Sequence, residues 1–227
     1  MKPKRIILIR HGESEGNIDK GIIERKPDYA LELSPKGIDQ AVKAGKELKS
    51  ILGEGSVHFY LSPFWRARMT LEQILPNFDR SKIRISEEPR LREQEWGHLR
   101  NEKETAEIEK QRDAYGSFYF RFPDGESGAD VYDRVSDVFG TLYRDFNKPN
   151  FQENAVMVTH GTTIRLFLMR WFHWTVEQFE EYSNPYNCQI ITLERKSNEK
   201  YELISELKKH EVKHHYQRPL NWIIPKL

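Results

Sequence analysis

The run Ile6-Ile7-Leu8-Ile9, followed at once by Arg10-His11-Gly12-Glu13-Ser14-Glu15-Gly16-Asn17, decides the reading of the fold. Four consecutive apolar residues without polar alternation suit a strand covered on both faces, as in a parallel sheet with helices on each side. The same pattern continues outward. Ser34-Pro35 offers an N-cap and a proline at the first helical position. Ile38, Ala41, Val42, Gly45, Leu48 and Leu52 then keep a helical period up to Gly53. Val57, Phe59 and Leu61 alternate with His58 and Tyr60 as a second strand, and Ser62-Pro63 repeats the helix-start signal for a helix reaching about Leu75. Ile83 and Ile85 mark a third strand, and Val131, Val135, Val138, Phe139, Leu142 and Phe146 stripe a long helix. Residues 155–159 read as a strand, 162–174 as a helix, Thr175 as a further cap, and 189–193 with 201–204 as a closing pair of strands. This alternation predicts an α/β fold, a three-layer sandwich whose mostly parallel central sheet is flanked by helices.

The chain of 227 residues shows no internal repeat or dividing linker. It reads as a single domain over 1–227, with an insertion at about 99–128 and a basic, His-rich tail at about 210–227. Charged residues make up 31%, above the usual ~25%, and the 12% aromatics supply apolar area that offsets chain entropy. The formal net charge of +1 provides no global field for nucleic acid or an acidic membrane. Anion binding must therefore come from a local cluster of arginines. The single cysteine, Cys188, can make neither an internal disulfide nor a Cys-rich zinc site. No stretch approaches the ~20 apolar residues of a membrane span, and residues 6–9 are too short for a signal-peptide core. The expectation is a cytoplasmic protein with neither nucleic acid nor membrane as partner.

In open α/β sheets, ligands sit beyond the carboxyl ends of the strands. The first strand is followed by Arg10 and His11, the second by Arg66, the third by Arg92 and Glu93, and residues 155–159 by His160-Gly161. Two histidines, several arginines and a carboxylate thus converge on one edge. Glycines beside both histidines let backbone N–H groups approach a ligand. This inventory suits phosphoryl transfer, because charge spreads over three equatorial oxygens and arginines can bind them bidentately.

The Arg10–Asn17 octet resembles the signature of the histidine phosphatase superfamily, the phosphoglycerate mutase-like enzymes. His160-Gly161, Arg66-Ala67 with Thr70, Glu93 four residues before Gly97, and Pro123-Asp124-Gly125-Glu126-Ser127 leading to Asp133-Arg134-Val135 fit in the same order. The resemblance covers about residues 5–195. It implies a phosphoglycerate mutase-like fold, a phosphohistidine on His11, and phosphoryl contacts from Arg10, Arg66 and His160. Asn17, Ser14 and Gly161 join the substrate-binding set, and Glu93 handles the leaving-group proton. A small phosphorylated metabolite is the implied substrate, with no metal and no cofactor.

Competing readings exist for several residues. Glu95 rivals Glu93, though the spacing to Gly97 favours Glu93. Arg68, two positions after Arg66, points elsewhere on a helix, and Glu13 and Glu15 read as structural or rim residues because anions repel phosphate. His210, His214 and His215 invite a metal reading, with 210 and 214 one helical turn apart, but no further ligand is apparent and the surrounding lysines argue against a cation site. Trp171, Phe172 and Trp174 read as core or interface, and Phe118, Tyr119, Phe120 and Phe122 as a patch of the insertion. Two other functions share these residues: a cofactor-dependent phosphoglycerate mutase and an inactive phospholigand-binding scaffold. Asn17 is followed by Ile18-Asp19-Lys20-Gly21-Ile22-Ile23 rather than a Gly-Trp loop, and 99–123 lacks paired Arg and paired Pro. Both features favour hydrolysis over a mutase, and the intact His11, Arg66, Glu93 and His160 count against a scaffold.

Overall fold

The computed structural model describes residues 2–97 and 102–210. Their strands are β1 (Arg5–Arg10), β2 (Val57–Leu61), β3 (Ile83–Glu87), β4 (Asn154–Thr159), β5 (Ile190–Arg195) and β6 (Tyr201–Leu203). They form one sheet in the order β3-β2-β4-β1-β5-β6. β3, β2, β4 and β1 are parallel, and β5 and β6 complete one side antiparallel, so the expected mostly parallel sheet is present. The helices are α1 (Glu15–Ile18), α2 (Pro35–Leu52), α3 (Trp65–Ile74), α4 (Glu102–Tyr115), α5 (Gly128–Phe146), α6 (Gly161–Phe172) and α7 (Val176–Glu180).

β1 shows why its sequence carries no polar alternation. Ile6 and Leu8 pack with Val131, Val135 and Phe139 of α5 and with Phe167 of α6. Ile7 and Ile9 face the opposite layer, with Leu48 of α2 and Leu71 and Ile74 of α3. All four are fully buried, and each such burial contributes about 1.5–3 kcal/mol. The strand end carrying Arg10 and His11 is therefore fixed from both faces. No described helix is long and apolar enough to cross a membrane.

Two local readings change. α3 begins at Trp65, with Phe64 as its N-cap residue, rather than at Ser62. The Ser62 hydroxyl is instead 2.7 Å from His160 Nε2. The segment 99–128, read from the sequence only as an insertion, contains α4. Its sequence, Glu-Lys-Glu-Thr-Ala-Glu-Ile-Glu-Lys-Gln-Arg-Asp-Ala-Tyr, has too few apolar residues to form a stripe, although Ile108 is buried. Trp171 packs against the core, stacked on Phe167 at 5.8 Å. Phe118 and Phe122 are buried while Tyr119 is exposed. Of the tail, residues 211–227, with His214 and His215, lie outside the described residues, and the His210 N–H donates to Glu181 O.

The loop after His11 is locked onto the start of α2. Ser34 caps that helix by accepting from Gly37 N at 3.0 Å, and donates its hydroxyl proton to Glu13 Oε1 at 2.9 Å. A Cβ on Gly37 would lie 2.0 Å from Glu13 O, and one on Gly12 would lie 2.5 Å from Gly37 O. In an ordinary helix, Gly→Ala gains up to about 1 kcal/mol. Gly37→Ala should do the reverse, because a backbone oxygen must move to admit the methyl group. We expect a loss of about 1–3 kcal/mol in urea unfolding. An unchanged or higher midpoint would show that these two backbones are not in contact.

Candidate active site

The chain ends of β1, β2 and β4 and the loop after β3 bring His11, Arg66, His160 and Glu93 to one edge of the sheet. The His11 and His160 rings lie 5.1 Å apart between centroids, inclined at 57°. His11 follows β1 directly, and its N–H continues the ladder by donating to Thr159 O at 2.9 Å. Its Nδ1 is 2.7 Å from Gly12 O. A carbonyl can only accept, so Nδ1 carries the hydrogen and the lone pair of the neutral ring lies on Nε2. Gly12 N in turn donates to Thr70 Oγ1, which donates to Arg66 O, and this ties the loop to α3.

Cations surround this pair. Arg66, in the first turn of α3, is nearly buried and lies over the Phe64 ring at 5.0 Å. The same ring meets His160 edge-on at 5.2 Å. Arg10 donates from NH1 to Pro185 O at 2.7 Å, while its Nε is buried without a partner. His160, the residue before α6, is fully buried. Its Nε2 is held at Ser62 Oγ, and its Nδ1 has no partner. Burial, reinforced by Arg66 and Arg10, pushes the His11 pKa well below the imidazole range. Burial with Arg66 and His11 does the same to His160. Both shifts favour the neutral ring.

Glu93 is only 7% exposed and its Oε1 accepts from Gln94 N at 3.0 Å. Glu95 is exposed, and its backbone pairs with Glu126. Burial raises the Glu93 pKa, outweighing Gln94 N, Arg66 and Arg10, which favour the anion. The loop carrying Glu93 is stapled from behind. Arg134 of α5 donates to Arg90 O, Arg92 O and Glu93 O at 2.7–3.0 Å and pairs with Glu126. Thr159 and Thr163 hydroxyls donate to Leu91 O and Arg92 O. The Glu126 and Arg134 of the sequence motif thus act on the backbone beneath Glu93.

The remaining expected residues form the rim. Ser14 is the buried N-cap residue of α1. Asn17 Oδ1 accepts from Ser14 N at 3.1 Å and from Asn187 Nδ2 at 3.1 Å, which leaves its amide nitrogen as the donor end. Gly161 opens α6, where a Cβ would meet Asn184 at 2.9 Å. Glu13 and Glu15 are engaged by Lys36 and Lys26, and Arg68 reaches the exposed Glu87. Sequence reading missed Ser62 on His160, Asn187, which also donates to His11 O at 3.0 Å, and Asp28, which pairs with Arg66. Ser62 was visible only as a capping signal. Nothing local marks Asn187 or Asp28. Among the described residues, no group of three or more His, Cys, Asp or Glu gathers as a metal cluster.

Comparison with known proteins yields consistent matches. The family model of the histidine phosphatase superfamily (branch 1) matches residues 6–205. Phosphoglycerate mutase-like protein AT74 of Arabidopsis thaliana is 43% identical over 205 residues, covering 85% of this chain and 65% of its own length. Broad-range acid phosphatase DET1 of Saccharomyces cerevisiae is 29% identical over 286 residues, covering 85% and 86%. Among solved structures, mycobacterial glucosyl-3-phosphoglycerate phosphatase in complex with VO3 superposes with a TM-score of 0.69 at 20% identity. The match covers 91% of this chain and 98% of that one, and it shows the shared fold.

The buried Glu93 carries a stability signature. With its folded pKa raised, the stability associated with the neutral acid is whole below the ordinary carboxylate range. It is lost as pH rises through the raised value. Glu93→Gln removes that loss. The variant should melt above wild type near pH 8, with the gap closing toward pH ~4, the unperturbed Glu range. A variant that melts lower at pH 8, with no convergence in acid, would show instead that Arg66 and Arg10 hold Glu93 as a favoured anion.

Proposed function

We propose that this chain, which belongs to the histidine phosphatase superfamily, hydrolyses phosphomonoesters of small metabolites through a phosphohistidine on His11. The observation that carries this reading is the Nδ1–H to Gly12 O bond on a buried neutral imidazole, which leaves Nε2 as the free lone pair. Nucleophilic catalysis requires that tautomer. The phosphatase names among the relatives support the same reading.

In the first step, His11 Nε2 forms a bond to phosphorus as the bond to the alcohol oxygen breaks. Glu93, whose pKa burial raises, gives its proton to that oxygen. In the second, water loses a proton to Glu93 and attacks phosphorus, and the N–P bond breaks to release inorganic phosphate. Arg10, Arg66 and the His160 ring meet the three phosphoryl oxygens, a fixed set of donors for charge that develops in flight. Asn17 adds a neutral donor at the rim, with Ser14 and the Gly161 backbone beside it. This cationic set needs no divalent metal or cofactor. The described residues share one sheet, which supports reading 1–227 as one domain. Cys188 is a buried thiol whose pKa is pushed up to about 12 by burial. An unpaired thiol fits the reducing cytoplasm, where we place the protein, and cell fractionation tests that placement.

His11→Ala should lose nearly all turnover of p-nitrophenyl phosphate, while wild type traps an acid-labile phosphoenzyme and keeps its rate in EDTA. Label that survives in His11→Ala, acid-stable label, or phosphoryl transfer to phosphoglycerate in place of water would overturn the assignment.

General-acid help is worth ~10²–10⁴-fold and matters most for a poor leaving group. Glu93→Gln should therefore lose more on alkyl phosphates than on p-nitrophenyl phosphate, and the alkaline limb of its kcat/KM profile should flatten. Equal losses on both esters would assign Glu93 to positioning phosphate or water.

A further inference from the structure

Arg66 is held by a residue that the mechanism above does not use. Asp28 lies in a short 3₁₀ turn, Asp28–Ala30, of the segment connecting α1 to α2. Its Oδ1 is 3.1 Å from Arg66 NH1 and its Oδ2 is 3.1 Å from NH2, a fork-to-fork carboxylate–guanidinium pair. The backbone carbonyl of the same residue accepts from NH1 at 2.6 Å. One residue therefore supplies two hydrogen-bond acceptors to one arginine, O and Oδ2, with Oδ1 beside NH1 as an ion-pair contact. A guanidinium has five N–H donors in a rigid plane. With NH1 donating to Asp28 O and NH2 to Asp28 Oδ2, Nε–H and a second NH2 hydrogen remain. Those two lie side by side along one edge, the spacing that a phosphoryl group accepts bidentately.

The turn itself is anchored. Pro27 precedes Asp28 with φ of −56°, and Ala30 N returns to Pro27 O at 2.9 Å. Leu31 is buried, and Glu15 takes Lys26 from one side and Glu32 N from the other. The Arg66 side chain is 5% exposed and that of Asp28 is 22% exposed, so the pair is largely shielded from competing water and salt. Among the described residues, Asp28 is the only acid paired with Arg66.

We propose that Asp28 is the positioning residue of the phosphoryl-binding arginine: it engages one edge of the Arg66 guanidinium so that the other edge is presented, already oriented, to the phosphoryl oxygens. The proposal rests on the reading of Arg66 as a phosphoryl ligand. Binding then incurs no reorientation of the arginine, and its geometry is set before substrate arrives.

The test compares wild type, Asp28→Asn and Asp28→Glu. In Asp28→Asn the carbonyl oxygen keeps one contact, but the amide nitrogen faces an N–H donor and opens the fork. Calorimetric titration with inorganic phosphate gives a readout independent of turnover. We expect Asp28→Asn to bind phosphate about tenfold or more weakly and to lose kcat/KM by at least as much. Asp28→Glu, which keeps the charged fork, should recover part of both. The pH–rate profile adds a signature that a merely structural role would not give. Glu93 interacts electrostatically with Arg66, Arg10, Arg165 and Asp28, and of these only Asp28 opposes its ionisation. Removing that charge should shift the alkaline limb to lower pH.

An Asp28→Asn protein that melts lower but binds phosphate and turns over as wild type would reduce Asp28 to a strap anchor and overturn the proposal. Tighter phosphate binding in Asp28→Asn would also overturn it, since Asp28 would then compete with the anion for Arg66. Wild type that binds phosphate with the expected Asp28 dependence but hydrolyses no ester would refute the hydrolase reading alone. Wild type that binds no phosphate would refute the role of Arg66 and the proposal with it.

Discussion

The 2.7 Å bond from His11 Nδ1–H to the Gly12 carbonyl is the constraint around which the site is organised. It selects one tautomer of a ring that could adopt two, and it holds that ring in one plane. The acceptor is the next residue's own backbone, so the loop must be immobile. Immobility comes from β1, which is buried on both faces, and from the backbone contact between Gly12 and Gly37 at the start of α2. Packing on two sides of a sheet thus becomes the orientation of a single lone pair.

The electrostatics follow from the same burial. Two arginines, two histidines and a carboxylate share a region largely removed from water, where charged forms are expensive. The arginines cannot lose their protons, so the other groups adjust: the histidine pKa values fall, which favours the neutral rings, and that of Glu93 rises, which favours its acid form. That set of protonation states is what a nucleophile and a general acid need. On the proposed mechanism, desolvation therefore prepares the chemistry.

Support for the reacting groups is supplied from distant segments. Arg134 holds the carbonyls of Arg90, Arg92 and Glu93 in the loop that ends at Glu93, and Glu126 fixes Arg134. Ser62 sets His160, and Asp28 occupies one edge of Arg66. In each case a functional side chain is aimed by a partner on another element, so that little of the geometry depends on side-chain freedom within the site.

The chain by itself determined the layered α/β architecture, because the apolar run of β1, the Ser34-Pro35 cap and the stripe of α5 are local patterns with local causes. It also determined which residues meet, since His11, Arg66, Glu93 and His160 each follow a strand and strand ends of a parallel sheet share an edge. It placed α3 at Ser62 and left α4 unread. Capping chemistry could not reveal that the Ser62 hydroxyl is used by a histidine 98 positions away, and a helix with few apolar residues leaves no stripe. Only the tertiary structure decided that Glu93 is buried with a raised pKa while Glu95 is exposed, that both histidine pKa values fall, and that Asp28 pairs with Arg66. Each depends on burial and on distances between segments far apart in sequence, quantities that side-chain spacing along the chain does not encode.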